Sequence, residues 1–189
     1  DYIICIARTK HSSLPEDGLT LFIIPGETPG IRFTALKTIA RDKLFEVVFD
    51  QVKASNESVI GQIDGGWSIT ETILEKAAIA KCCEMVGGVQ RVLEMTVDYA
   101  KERVQFGRPI GSFQVIQHYC ANMLIDIESA RSLTYQAVTM VSEGRPCARE
   151  AHMAKAWVSN AYRRVCALGH QIHSAVGYTK DHDMQLYFR

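Results

Sequence analysis

The hydrophobic period of this chain changes once, after Asp64-Gly65-Gly66-Trp67, and that change limits the possible folds more than any other feature. Before it, Tyr2 to Ala7, Leu19 to Ile24, Ile31 to Leu36 and Leu44 to Phe49 are short runs rich in β-branched and aromatic residues. Turn chemistry separates them at Ser13 to Gly18, Pro25-Gly26 and Pro29-Gly30. In the last run Phe45, Val47 and Phe49 alternate with Glu46, Val48 and Asp50, as in a half-buried antiparallel strand. After the change the period is helical. A first helix is predicted from about Ser68 to Val104, with Cys82, Val86, Val89, Leu93, Val97, Ala100 and Val104 on its apolar face.

A second helix is predicted from about Phe113 to Ser142. Its apolar residues Ile116, Cys120, Met123, Ile127, Ala130, Thr134, Ala137 and Val141 recur at alternating spacings of four and three, a seam that packs helix against helix. Glu143-Gly144-Arg145-Pro146 ends it, with Pro146 suited to the first turn of the next helix. A third helix is predicted from about Cys147 to Ala175 and a short fourth from near Asp181. Long helices joined by short corners pack as antiparallel neighbours. The expected fold is therefore α+β: a partial antiparallel β-domain over residues 1–62, then an antiparallel helical bundle over residues 63–189. Four short strands make an incomplete core by themselves. Tyr2-Ile3-Ile4 opens inside a strand pattern and Leu186-Tyr187-Phe188 closes inside an amphipathic one, so the expectation is a piece of a longer protein.

Charge excludes some partners. Lys plus Arg equal Asp plus Glu at 21 each, so no net field attracts nucleic acid or an anionic membrane, and neutrality favours self-association. Lys101-Glu102-Arg103 and Arg163-Arg164 form no nucleic-acid stripe. No apolar run approaches the ~20 residues of a membrane span, and the start carries no secretory pattern. Cys5, Cys82, Cys83, Cys120, Cys147 and Cys166 show no disulfide framework. They read as reduced thiols of the cytosol or an equivalent compartment, a mature mitochondrial chain included. The neighbours Cys82 and Cys83 diverge by ~100° on a helix, which suits packing better than redox work. His170 and His173, with Asp181 and His182 downstream, fall short of a metal-ligand pattern, so no metal is expected.

One stretch carries chemistry. Arg103-Val104-Gln105-Phe106-Gly107-Arg108-Pro109-Ile110-Gly111-Ser112-Phe113-Gln114 lies between the first two helices and brings an arginine, an amide and a glycine corner together. A guanidinium beside backbone N–H groups suits a diphosphate. With Tyr99-Ala100-Lys101-Glu102 before it and Val115-Ile116-Gln117 after it, the stretch resembles the flavin-binding bundle of the acyl-CoA dehydrogenases. Thr38 to Lys43 and Glu46 to Val52 resemble the end of that family's middle β-domain, and Gly61 to Trp67 the linker into its bundle. The resemblance spans essentially all 189 residues and covers part of a family member.

The resemblance implies FAD-dependent α,β-dehydrogenation of an acyl-CoA thioester, with electrons passed to electron-transfer flavoprotein. It implies a homo-oligomer, dimer or tetramer, in which the bundle of one subunit touches its neighbour's FAD. Arg103 and Gln105 would meet the pyrophosphate, Phe106 would pack nearby, and Phe113 and Gln114 would line the same region. In Gln171-Ile172-His173-Ser174-Ala175-Val176-Gly177, Gln171, Ser174 and Ala175 would approach the ADP half, and Ser174-Ala175 stand where the family usually has two glycines. Glu75 and Ala78 fall where the family contacts acyl-CoA, although Arg is commoner at the second position.

The catalytic Glu of the family stands either beyond Arg189 or, in a subset, at the place of Ala77, so no catalytic residue is assigned within the chain. A chain of this extent alone is expected to show no turnover. The alternative is a non-catalytic partner subunit that contributes its bundle to a flavin site in a hetero-oligomer. Oxidases built on the same scaffold differ in how oxygen reaches the reduced flavin.

Overall fold

The computed structural model describes residues 1–40 and 42–188; Arg41, within the Thr38 to Lys43 string, and Arg189 lie outside the described residues. The chain divides into two compact units, Asp1–Leu74 and the remainder from Glu75 onward.

In the first unit β1 (Tyr2–Arg8) pairs antiparallel with β2 (Leu19–Pro25), in register from Tyr2 opposite Pro25 to Arg8 opposite Leu19. A second hairpin joins β3 (Ile31–Leu36) to β4 (Leu44–Phe49). All four match the β-rich runs of the sequence. The short β5 (Val59–Ile60), too brief to show a period, adds to the free edge of β2. As the central strand, β2 supplies the buried Thr20, Leu21 and Ile24. The Thr20 hydroxyl accepts from the Asp64 backbone N–H at 2.8 Å and lies 2.6 Å from the Thr9 hydroxyl, so its burial is fully compensated. One expectation needs correction. The β3–β4 hairpin is not half-buried: Phe33, Phe45 and Phe49 are exposed and only Ile31 and Val47 are partly covered, because among the described residues of this unit no second layer packs on it.

Three long helices dominate the second unit: α1 (Gly66–Glu102, which begins in the first unit), α2 (Gln114–Ser142) and α3 (Ala148–His173). The predicted seams form the core except at Val104, which lies past the end of α1 and is exposed. Cys82, Val86, Val89, Leu93 and Ala100 of α1 and Met123, Ile127, Ala130, Thr134 and Ala137 of α2 are buried. They pack with Ala151, Ala154, Val158, Ala161 and Val165 of α3. Alanines at the α2–α3 contact let those backbones approach most closely. Arg164 of α3 grips Asp126 of α2 through two hydrogen bonds of 2.9 and 2.7 Å, which fixes the antiparallel register. The buried hydroxyls of Thr96 and Thr134 donate to the carbonyls one turn back, of Val92 and Ala130.

Gly144 ends α2 at φ 66°. Its N–H donates to Val141 O and that of Arg145 to Met140 O, a paired closure that needs a left-handed residue. Pro146 stays outside the next helix, which starts at Ala148. Instead of extending α3 to Ala175 and adding a fourth α-helix, the chain makes two single-turn 3-10 segments, Ser174–Tyr178 and Asp183–Tyr187. Their side chains, not a helical period, hold them: Met184 is fully buried against α3.

Candidate functional site

Past the end of α1 the stretch from Arg103 to Ile110 is a tight β-hairpin. The Arg103 N–H donates to Tyr99 O and the Ile110 N–H to Arg103 O, each at 2.8 Å. Between them β6 (Val104–Gln105) pairs with β7 (Arg108–Pro109) around the two-residue turn Phe106-Gly107. Both turn residues have positive φ, 52° and 79°, the geometry that suits the twist of a two-residue hairpin. Gly107 adopts it freely, whereas Phe106 does so under strain. The Phe106 ring is 92% exposed and meets Phe113 edge-on, with centroids 6.1 Å apart.

The hairpin, the start of α2 and the end of α3 enclose a cavity of about 500 Å³ lined by Tyr99, Arg103, Gln105, Phe106, Phe113 and Ser174, among others. Five of the eight residues assigned to a cofactor from sequence, Arg103, Gln105, Phe106, Phe113 and Ser174, thus lie around one space although up to 71 positions separate them. The other three do not line it. Gln171 is exposed because the inward face of α3 there is Gly169, His170, Ile172 and His173. Ala175 is exposed on the following 3-10 turn, and Gln114 occupies the first turn of α2 with its side chain outward. Glu75 and Ala78 lie on α1 roughly 38–42 Å from Arg103 at 1.5 Å per residue, so the cavity does not gather them. Glu75 stands in the third turn of that helix, beyond the reach of its N-terminal dipole.

The wall has an apolar half that sequence reasoning left unassigned: Ile110, Val115, Ile116 and Ile172, with Tyr99 below Arg103. Tyr99 was legible, being one helical turn before Arg103; Ile172 was not, since its direction depends on where α3 ends. Arg108, from the same hairpin, lays its guanidinium 4.2 Å from the centre of the Phe113 ring. Among the described residues Arg103 has no carboxylate within ion-pair distance. The helix α2 begins at an apolar N-cap, Phe113, with no side-chain cap, and the Ile116 N–H already donates to Phe113 O, so among the described residues the Gln114 and Val115 amides are left for another acceptor. A guanidinium, an uncapped helix start and an apolar wall together fit an anion attached to a flat or apolar body.

Behind the wall two imidazoles are buried. His173 stacks on Tyr99, and its Nδ1 lies 2.8 Å from Gly169 O. His170 stacks on Tyr178 and meets Phe188 edge-on, and among the described residues neither of its ring nitrogens has a partner. Burial holds both below the ordinary histidine range, and His182 beside them acts in the same direction. Among the described residues no three His, Cys, Asp or Glu side chains stand close enough to hold a metal ion, and no helix is long and apolar enough to cross a membrane.

The family model of the acyl-CoA dehydrogenase C-terminal domain matches residues 64–189. The chain is 32% identical over 192 residues to the short-chain specific acyl-CoA dehydrogenase of Megasphaera elsdenii, covering 100% of this chain and 50% of that protein. It is 33% identical over 175 residues to the mitochondrial short/branched chain specific acyl-CoA dehydrogenase of Bos taurus, covering 91% of this chain and 40% of that protein. The solved structure of butyryl-CoA dehydrogenase from Megasphaera elsdenii superposes with a TM-score of 0.93 at 31% identity, over 99% of this chain and 49% of that one. The chain thus spans half or less of the length of these relatives. On the match of its helical unit, its strands and its hairpin, the chain belongs to the acyl-CoA dehydrogenase family.

Proposed function

We propose that the protein to which this chain belongs is an FAD-dependent acyl-CoA dehydrogenase, and that the Arg103 cavity receives the diphosphate of an FAD. The observation that carries this is the convergence of an unpaired guanidinium, an uncapped helix start and an apolar wall on one space. Bound flavin would supply the hydride acceptor for α,β-desaturation of an acyl-CoA thioester. The residues of this chain would bind and orient. Arg103 would pair with phosphate oxygens, Gln105 would offer its amide, and the amides at the start of α2 near Gln114 would face negative charge. Phe106 and Phe113 would cover the body of the ligand and exclude water. Gln171 and Ala175 would sit at the outer edge, and Glu75 and Ala78 would act elsewhere, toward acyl-CoA.

Residues 1–62 would be the end of the middle β-domain and 63–189 the bundle, which the family match from residue 64 supports. A flavin shared between subunits accounts for a cavity open on one side, and the exposed Leu124, Ile125 and Tyr135 of α2 suit contact with another chain, most simply a homo-oligomer. Electron-transfer flavoprotein would take the electrons, and the compartment would be a bacterial cytoplasm or a mitochondrial matrix. A hetero-oligomer with a catalytic partner is the second reading, favoured by one observation: Ala77, the place of one family base, is a bare methyl on an exposed face.

Visible spectroscopy of the natural protein tests the proposal. A flavin band that bleaches on anaerobic addition of acyl-CoA is expected, and Arg103→Ala is expected to lower flavin content. A colourless protein that gains no flavin when mixed with FAD would sink it.

A further inference from the structure

Three imidazoles meet where the last 3-10 turn packs on α3. His170 and His173 are buried on the helix, and the partly buried His182 meets His173 edge-on with ring centroids 4.8 Å apart. Each element around the cluster presents a ring: Tyr99 of α1 against His173, with Tyr178 and Phe188 against His170. At the far end of the turn the Cys166 thiol donates to Tyr187 O at 3.4 Å. Lys180, Asp181 and Asp183 flank His182 in sequence and are exposed. Among the described residues no carboxylate lies within ion-pair distance of any of the three rings.

One nitrogen of this cluster closes the turn. His182 Nδ1 accepts the Met184 N–H at 3.1 Å and so caps Asp183–Tyr187. That bond needs a bare lone pair at Nδ1 and leaves the ring its one proton at Nε2. A single 3-10 turn has little hydrogen bonding of its own to hold it. Its anchor is Met184, fully buried in a socket floored by glycine: a Cβ added at Gly169 would lie 3.3 Å from Met184 Cε, and one at Gly177 3.6 Å from Met184 Cγ. The capped amide thus belongs to the anchor itself. Imidazole is the side chain that changes charge between about pH 5 and 8. A proton on His182 Nδ1 would turn the acceptor into a donor aimed at the Met184 N–H. It would also set a cation against His173, where burial already disfavours charge. With no carboxylate to offset it, that charge is relieved when the turn swings out to water. We propose that Asp183–Tyr187 is an acid-released latch: protonation of His182 removes the cap and expels the turn, with Met184, from its socket against α3. The device is built from the packing of this chain alone and holds whatever the neighbouring cavity binds.

The test is hydrogen exchange of the natural full-length protein, read by mass spectrometry at about pH 7.5 and 5.5 and corrected for the intrinsic pH dependence of amide exchange. Protection of the amides from Asp183 to Tyr187 is expected to fall about tenfold at the lower pH, beyond any fall in α2. That is the limit for one proton over the roughly one unit below the ordinary histidine value near 6.5. His182→Asn supplies an acceptor that caps a helix start and does not titrate, so its turn should stay protected at both pH values. Protection that does not fall in the parent, or falls no further than that of α2, overturns the latch. An equal fall in the parent and in His182→Asn overturns it too, by placing the trigger on His170 or His173. So does a His182→Asn turn that is already open at the higher pH, since capping would then not be what holds it.

Discussion

The imidazole of His173 lies against the ring of Tyr99, with centroids 4.5 Å apart and planes inclined by 23°. The contact joins the last turn of α3 to the last full turn of α1, directly beneath Arg103 and Ser174. It therefore sets the distance between two walls of the cavity.

Removing that ring should be costly. His173 is fully buried, so His173→Ala leaves a cavity and an unopposed face on Tyr99. A loss of about 3 kcal/mol in stability is expected, by analogy with other large-to-small core changes. Urea denaturation monitored by circular dichroism would measure it; a loss under about 1 kcal/mol would mean that the stack does not bear on the fold.

The two buried imidazoles also predict a pH dependence. Each has its folded pKa held below the ordinary value near 6.5, first by burial, so the unfolded chain binds protons more readily. Stability is thus fully present above about pH 6.5 and is lost as pH falls toward the lower folded values, at up to ~1.4 kcal/mol per pH unit for each histidine. Thermal melts at pH 7.5 and pH 5.5 should show the drop, and His170→Phe should lessen it. Equal slopes for parent and variant would remove His170 from the account.

Two glycines in helix interiors should respond oppositely to alanine. Nothing lies within 4 Å of a Cβ added at Gly87, so Gly87→Ala should stabilise by up to about 1 kcal/mol through helix propensity. At Gly169 an added Cβ would lie 2.9 Å from Val92 Cγ1 and 3.3 Å from both Met184 Cε and Thr96 Oγ1. Gly169→Ala should therefore destabilise by about 1–3 kcal/mol despite the same propensity gain. Differential scanning calorimetry of the pair would separate the effects.

The hairpin tip offers a trade between stability and binding. Phe106 sits at φ 52°, which Asn tolerates better. Phe106→Asn should leave stability unchanged or raise it by up to about 1 kcal/mol, while FAD affinity falls because the exposed ring no longer covers the ligand. Unchanged affinity would make Phe106 a bystander.

Hydrophobic period and turn chemistry determined most of the architecture. The four runs before Asp50 are strands at almost the predicted residues, and the seams from Cys82 to Ala100 and from Met123 to Ala137 are buried as their spacing requires. Such features are local: a side chain's direction on a helix or strand follows from its own position. Arg103, Gln105, Phe106 and Phe113 were likewise visible, because they fall within one short string between two helices.

Tertiary structure decided what spacing cannot carry. Whether a hairpin such as β3–β4 is covered depends on what packs on it, not on its alternation. That α3 stops at His173, with 3-10 turns replacing its predicted continuation, depends on two buried imidazoles finding Tyr99 and Tyr178. That stop turns Ser174 toward a cavity built by residues some 70 positions earlier and leaves Gln171 and Ala175 outside it. A contact between distant positions belongs to the packed core, since each side chain's part in it is fixed only when the other helices are in place.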